Sequence, residues 1–237
     1  MNLEKYQQYS RIARGLEKAD LVLKDARIVN VFTEEIIRGD IAIQDGIIAG
    51  IGSFHGKEER DLAGRYVCPG FIDSHLHLES TLVTPAELVT AASRHGTTTF
   101  IVDPHESANV SGLAGVDYIL DQTENVKANV YVMMPSCVPA TAIDDNGCTL
   151  TAGDMAPYLH NSRILGLGEV MDSISVVQGE KSMHDKLELF EGRIRDGHAP
   201  FLEEGDLQAY AMAGIATDHE CSFFDYAMRE RRNGLTI

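Results

Sequence analysis

Two hydrophobic patterns divide the chain. Between residues 20 and 67 short apolar runs recur at positions 21–23, 27–31, 40–43 and 46–51, separated by polar or glycine-containing turns such as Gln44–Asp45–Gly46. Short runs rich in Val and Ile, punctuated by an Asp-Gly pair, predict the strands of a small antiparallel β unit. That unit is too short to close a sandwich by itself. The first twenty residues carry charges throughout and read as a short amphipathic helix. From Val67 the pattern changes to strand-like runs alternating with helical stretches. Strands are predicted over 71–77, 98–103, 129–134, 164–169, 192–198 and 214–219. Between them, Thr84, Pro85 and Glu87 predict a capping box with proline at the first helical position, and Gly96 follows that helix. Segments 151–161 and 206–213 read as further crossover helices. Ser222 opens another that runs to Arg232, with Gly234 as its stop.

Regular β-α alternation implies a parallel sheet with right-handed crossovers. Six β-α units without a change of pattern favour an α/β fold of the (β/α)8, TIM-barrel type, incomplete here, over a doubly wound sheet. A small β-sandwich-like domain precedes it. The boundary near 66–69 gives two domains, residues 1–67 and 68–237.

Composition narrows the partners. The chain has 237 residues, 44% apolar and 24% charged, as expected of a globular protein. No apolar run approaches the ~20 residues that span a bilayer, and the N-terminus has no apolar secretory core. A cytoplasmic protein without a membrane partner is expected. The net charge of −16 argues against nucleic acid, which requires a basic face. Cys68, Cys137, Cys148 and Cys221 show no CxxC spacing and read as reduced thiols, mostly core filler.

Candidate chemistry begins at Pro69–Gly70–Phe71–Ile72–Asp73–Ser74–His75–Leu76–His77. A strand has period two, so His75 and His77 project to the same side. At the C-terminal end of a barrel strand, where active sites are built, they form half of a metal site. An HxH pair alone would equally suit two histidines bonded to backbone. The later strands also end in potential ligands: Glu169, His198 and His219. Four histidines and a carboxylate converging on one mouth suit a pair of divalent transition ions. The second strand ends in Asp103–Pro104–His105–Glu106, whose His and Glu could transfer protons, or whose Asp could simply cap a turn. His55, His95, His160 and His184 read as surface or satisfied histidines. His77–Leu78–Glu79 lacks the PCxxC partner of nucleic-acid deaminases. Gly166–Leu167–Gly168 lacks the third glycine of a dinucleotide loop, where Met171 stands.

These stretches, with Gly96–Thr97–Thr98–Thr99, Pro135–Ser136–Cys137–Val138–Pro139–Ala140–Thr141, Asp196–Gly197–His198–Ala199–Pro200 and Thr217–Asp218–His219–Glu220, resemble the bacterial and archaeal adenine deaminases of the amidohydrolase superfamily. The resemblance covers nearly the whole chain. It implies that His75 and His77 bind one metal, that His198 and His219 bind the other, and that Glu169 bridges both. It also implies two manganese or iron ions, with zinc an alternative, and hydrolysis of adenine to hypoxanthine and ammonia in purine salvage. His105, Glu106 and Glu169 are the expected catalytic residues. The chain departs from the family pattern at Asp172–Ser173–Ile174–Ser175, and at Phe201, where a glycine follows GHAP. The family continues beyond Ile237, so a last Asp ligand and the partner strands of the β domain are expected outside this sequence. Open sheet edges would then draw chains into homo-oligomers. Two other outcomes remain expected possibilities: a different aminohydrolase or cyclic amidohydrolase on the same scaffold, and a truncated, catalytically silent fragment.

Overall fold

In the computed structural model, which describes every residue except Ala142, the chain folds as two units, residues 1–69 and 70–237. The first opens with helix α1 (Leu3–Ala13), whose N-cap Asn2 accepts the Lys5 amide at 2.9 Å. Strands β1 (Ala19–Asn30), β2 (Glu35–Gln44), β3 (Ile47–Gly52) and β4 (Gly56–Asp61) follow in the order β3-β2-β1-β4, and the short β5 (Tyr66–Val67) also pairs with β1. The Asp-Gly turn forms a two-residue hairpin between β2 and β3. Asp45 at φ +50° and Gly46 at φ +74° provide the two left-handed residues that a type I′ turn requires.

The sheet is mixed rather than antiparallel, because β4 and β5 run parallel to β1. Strand β4, Gly-Lys-Glu-Glu-Arg-Asp, has no apolar alternation. It is held by its ladder to β1, and all but Gly56 are exposed, so hydrophobic patterning could not find it. The predicted runs 21–23 and 27–31 are one strand, interrupted by an irregularity between Leu23 and Ala26. Ile12, Val22, Ala42 and Phe54 form the buried core between α1 and the sheet.

The second unit is built on five parallel strands among the described residues: β6 (Phe71–Leu76), β7 (Thr97–Val102), β8 (Asn129–Met134), β9 (Ile164–Val170) and β10 (Ile194–Gly197). Their spatial order follows the chain, β10-β9-β8-β7-β6, which is a curled half-barrel sheet. The helices between them are α2 (Pro85–Ser93), α3 (His105–Ser111), α4 (Leu113–Gln122), α5 (Ala152–Met155), α6 (Ser173–Gln178) and α7 (Lys181–Leu189), and α8 (Glu204–Met212) and α9 (Phe224–Arg232) follow the last strand. Phe100, Val102, Val132, Met134, Leu167 and Phe190 belong to one buried cluster beneath them.

The count of six strands is corrected. Residues 214–219 begin in a turn at Gly214, φ +83°, and make only scattered bonds, Ala216 N–H to Arg195 O at 3.0 Å, Asp218 N–H to Thr236 O at 2.9 Å and Thr236 N–H to Ala216 O at 2.8 Å. They form a single parallel bridge, Thr217 to Thr236, not a ladder. The segment 151–161 is a short α5 followed by a 3₁₀ turn, and its capping box, Thr151 with Asp154, is real. The box predicted at Thr84 is not formed. Thr84 is the N-cap in backbone geometry, but its side chain makes no capping bond, and Pro85 at the first position presets the helix instead. The cysteines are not mostly core filler: among the described residues Cys137 is buried, Cys68 is exposed, and the other two are intermediate.

Candidate metal centre

Strand β9 is buried along almost its full length and delivers Glu169 to the strand end at 2% exposure. Its main chain is clamped on both sides. The Glu169 amide donates to Asp103 Oδ2 at 2.8 Å, and its carbonyl accepts from Ser136 Oγ at 2.5 Å. Gly168 allows this approach, because a Cβ there would lie 2.2 Å from Asp103 Oδ2. The carboxylate is thereby fixed, with imidazoles around it. Nδ1 of His198 and Nε2 of His219 each lie 3.0 Å from Oε2; His105 Nδ1 lies 3.0 Å and His77 Nε2 3.6 Å from Oε1. His75 Nε2 is 4.0 Å from Oε2.

The pair on β6 is oriented from behind. His75 Nδ1 faces Asp196 Oδ2 at 3.0 Å, and His77 Nδ1 faces the Asp103 carbonyl at 2.9 Å. Both partners are acceptors, so each Nδ1 carries the hydrogen and each Nε2 is bare. Those two bare nitrogens are 3.0 Å apart. Two lone pairs at that distance repel unless a cation or proton lies between them. The donor set therefore fits metal: Nε2 of His75 and of His77 with Glu169 form one group of converging ligand atoms, and Glu169, His198 and His219 form another. The two groups share Glu169.

Electrostatics agree with that arrangement. Burial alone would raise the Glu169 carboxyl, but the imidazoles of His105, His198 and His219 outweigh it and hold the group far below the usual carboxylate range. Burial would lower His105 and His219, yet the carboxylates beside them, Asp103 and Glu169 for the first, Glu169 and Asp196 for the second, raise both.

All the residues singled out from sequence except Glu106 converge here. Glu106 is exposed on α3 and accepts from Ser80 Oγ at 2.5 Å, and among the described residues it makes no hydrogen bond or ion pair with the imidazole cluster. Three residues were missed. Asp196 orients His75 and accepts from Thr217 Oγ1 at 2.5 Å; two positions before His198 on one strand, it carried a period-two signal. Asp103 supports both His77 and Glu169, through its carbonyl and its carboxylate. Cys137, in the loop after β8, joins His105 and Glu169 in a third group of converging ligand atoms. Phe201, at φ +63°, occupies a left-handed conformation that glycine adopts freely, which accounts for the glycine expected there.

A parallel half-barrel with histidine and carboxylate donors at its strand ends matches a known class. The amidohydrolase family model matches residues 66–233, and the chain belongs to that family. Among curated relatives, the adenine deaminase of Desulfitobacterium hafniense is 56% identical over 237 residues, covering 100% of this chain and 42% of that protein. The adenine deaminase of Clostridium acetobutylicum is 48% identical over 227 residues, covering 95% and 40%. The chain thus spans about two fifths of the length of the curated relatives it matches. Of solved structures, N-acyl-D-glutamate deacylase from Bordetella bronchiseptica, complexed with zinc, superposes with a TM-score of 0.60 at 18% identity, over 92% of this chain and 57% of that one. 5-Methylcytosine deaminase from Klebsiella pneumoniae gives 0.56 at 14%, over 90% and 64%. At such identities these two likenesses concern the fold.

Proposed function

We propose that this protein hydrolyses adenine to hypoxanthine and ammonia at a centre of two divalent cations. The observation that carries the reading is the ring of imidazoles around Glu169, with the bare His75 and His77 nitrogens facing each other at 3.0 Å. The substrate is inferred from relatives named adenine deaminase that align along the whole chain. His75 and His77 would hold one ion and His198 and His219 the other, with Glu169 shared. Manganese or iron suits these imidazole and carboxylate donors, and zinc fits them too. Bound cations supply the polarisation that lets a water lose its proton near neutral pH.

The chain's own residues do the rest. Glu169, kept ionised by its neighbours, holds negative charge between the two histidine pairs. His105, 3.0 Å from Glu169 and raised by the carboxylates beside it, holds a proton at the mouth. It is placed to deliver that proton to the purine ring nitrogen or the departing amine. Glu106 would exchange protons between the mouth and solvent. Asp196 and Asp103 fix the tautomers of His75 and His77. We further infer a cytoplasmic role in purine salvage and self-association of chains. The first unit serves as half of a β-sandwich, a reading supported by Phe32, Ile36 and Ile48, which are exposed on it.

A different aminohydrolase or cyclic amidohydrolase activity is the second reading. It is favoured by Phe201 and Asp172–Ser175, which depart from the family pattern near the mouth. A substrate panel separates the two. Adenine, other aminopurines and cyclic ureides are offered to the manganese-loaded protein, alone and combined with the carboxy-terminal three fifths of the Desulfitobacterium relative. Ammonia release from adenine alone is expected. Release from a ureide and not from adenine would replace the first reading with the second.

A further inference from the structure

We propose that His105, Cys137 and Glu169 form a further cation site, selective for thiophilic divalent ions, whose filling takes His105 out of proton transfer. That last consequence rests on the deaminase reading above; the site itself does not. One ligand atom from each of the three residues lies within 4.8 Å of the others. Cys137 has no part in holding either of the two ions already described, and at 1% exposure it is far more buried than packing on a surface loop requires. Its backbone is tied to that of His105 by one side chain: Asn109 Nδ2 donates to the His105 carbonyl at 3.0 Å and to the Cys137 carbonyl at 3.2 Å. The imidazole and the thiol are thus held in fixed register across the gap between α3 and the loop after β8.

A second observation is a buried acceptor left without a partner. Asp103 is 1% exposed, and its Oδ1 has no hydrogen-bond partner among the described residues. That oxygen lies 3.7 Å from His105 Nδ1. His105 Nδ1 is itself 3.0 Å from Glu169 Oε1 without the alignment of a hydrogen bond. A buried carboxylate oxygen left unpaired is costly, and such atoms call for a partner. A cation seated between His105, Cys137 and Glu169 would face Asp103 Oδ1 as well.

The donor chemistry sets the selectivity. Thiolate sulfur favours zinc and cadmium over manganese, which prefers oxygen and imidazole. On binding, the Cys137 S–H bond breaks, its proton leaves to solvent, and the sulfur electron pair forms the bond to the ion. No electron is transferred. His105 gives its Nδ1 lone pair to the same ion and can then carry no proton there.

The test uses the metal-free chain titrated with cadmium, read by near-ultraviolet sulfur-to-cadmium absorption and by equilibrium dialysis. The absorption band should appear in the wild type, persist in the Cys68→Ser, Cys148→Ser, Cys221→Ser triple variant, and vanish in Cys137→Ser with loss of about one bound equivalent. His105→Ala keeps the thiol and should weaken the cadmium that gives the band about tenfold, which covers a Cys137 variant that fails to fold. A band that survives in Cys137→Ser, or cadmium affinity unchanged in His105→Ala, overturns the proposal. The two-ion reading is tested apart from it: His75→Ala with His77→Ala should keep the cadmium band while losing manganese, and unchanged manganese in that variant counts against the deaminase centre alone.

Discussion

Glu169 and Glu230 are both buried carboxylates of the second unit, at 2% and 0% exposure, and burial pushes both acids upward. They end in opposite states. Glu169 stands at a strand end among nitrogens of His105, His198 and His219, each 3.0 Å away, and these reverse the effect of burial. Glu230 stands on α9, where neither of its oxygens has a hydrogen-bond partner among the described residues. Burial, opposed by Cys221 and reinforced by the Asp218 carboxylate, pushes it up to about 7. Burial is common to the two sites, and their neighbours decide the outcome. A group ringed by imidazoles that are themselves held from behind is arranged to carry charge. A buried group that faces another carboxylate and no imidazole is arranged to stay neutral.

The largest expected effect follows from removing the charge where it is used. Glu169→Gln should lower adenine turnover by about a thousandfold or more, since a neutral amide cannot hold two cations together. Glu230→Gln should leave turnover within about twofold, because α9 lies outside the donor set. Steady-state assays on the two variants side by side check both, and equal losses would erase the contrast. A smaller effect is expected from Gly168→Ala. The added methyl would lie 2.2 Å from the Asp103 oxygen that accepts the Glu169 amide, so Asp103 must move and Glu169 with it. Overpacking of this kind costs about 1–3 kcal/mol. Thermal unfolding should register that cost, and turnover should fall about tenfold or more. If Gly168→Ala melts and turns over like the wild type, the clamp on Glu169 is not what fixes it.

Much of this contrast was legible in the sequence on the Glu169 side and almost none on the Glu230 side. HxH on a predicted strand, and Glu169, His198 and His219 at later strand ends, placed the imidazole cluster because strand period and barrel polarity convert spacing into direction. The second layer was harder to read. Asp103 acts partly through its carbonyl and Cys137 through its position in the loop after β8, and neither contribution is encoded in a residue pattern. Glu230 sits in a run of charges, Arg229–Glu230–Arg231–Arg232, that reads as a solvated face; the buried position within it is set by how α9 packs. The same limit applied to β4, a charged edge strand without the apolar alternation that marks the others. Residues 214–219 erred the other way: the pattern predicted a strand, but the segment has too few neighbours to form more than one bridge.

The smallest expected effect concerns stability and tests the neutral state of Glu230 directly. In the unfolded chain this carboxyl titrates near ~4.3, and in the folded protein it is raised to about 7. Below the unfolded value both states are protonated, and the stability tied to the neutral acid is fully present. As pH rises from ~4.3 towards about 7 the unfolded chain releases its proton while the folded one keeps it, so stability falls through that window and levels off above it. Glu230→Gln cannot ionise, and its amide can still donate towards Asp218 as the protonated acid would. Its stability should therefore lack this fall. Wild type and variant should melt together near pH 4, diverge as pH rises, and differ by about 1–2 kcal/mol at pH 8 in favour of the glutamine, the ~3.7 kcal/mol of the full shift being reduced by relaxation and water penetration around the ionised group. For a chain of this size that gap corresponds to a few degrees, roughly 2–4 °C per kcal/mol. Melting curves of the two proteins at pH 4, 6 and 8 measure it. Parallel curves across that range would mean that Glu230 is ionised in the folded protein after all, and that its burial is relieved by a partner.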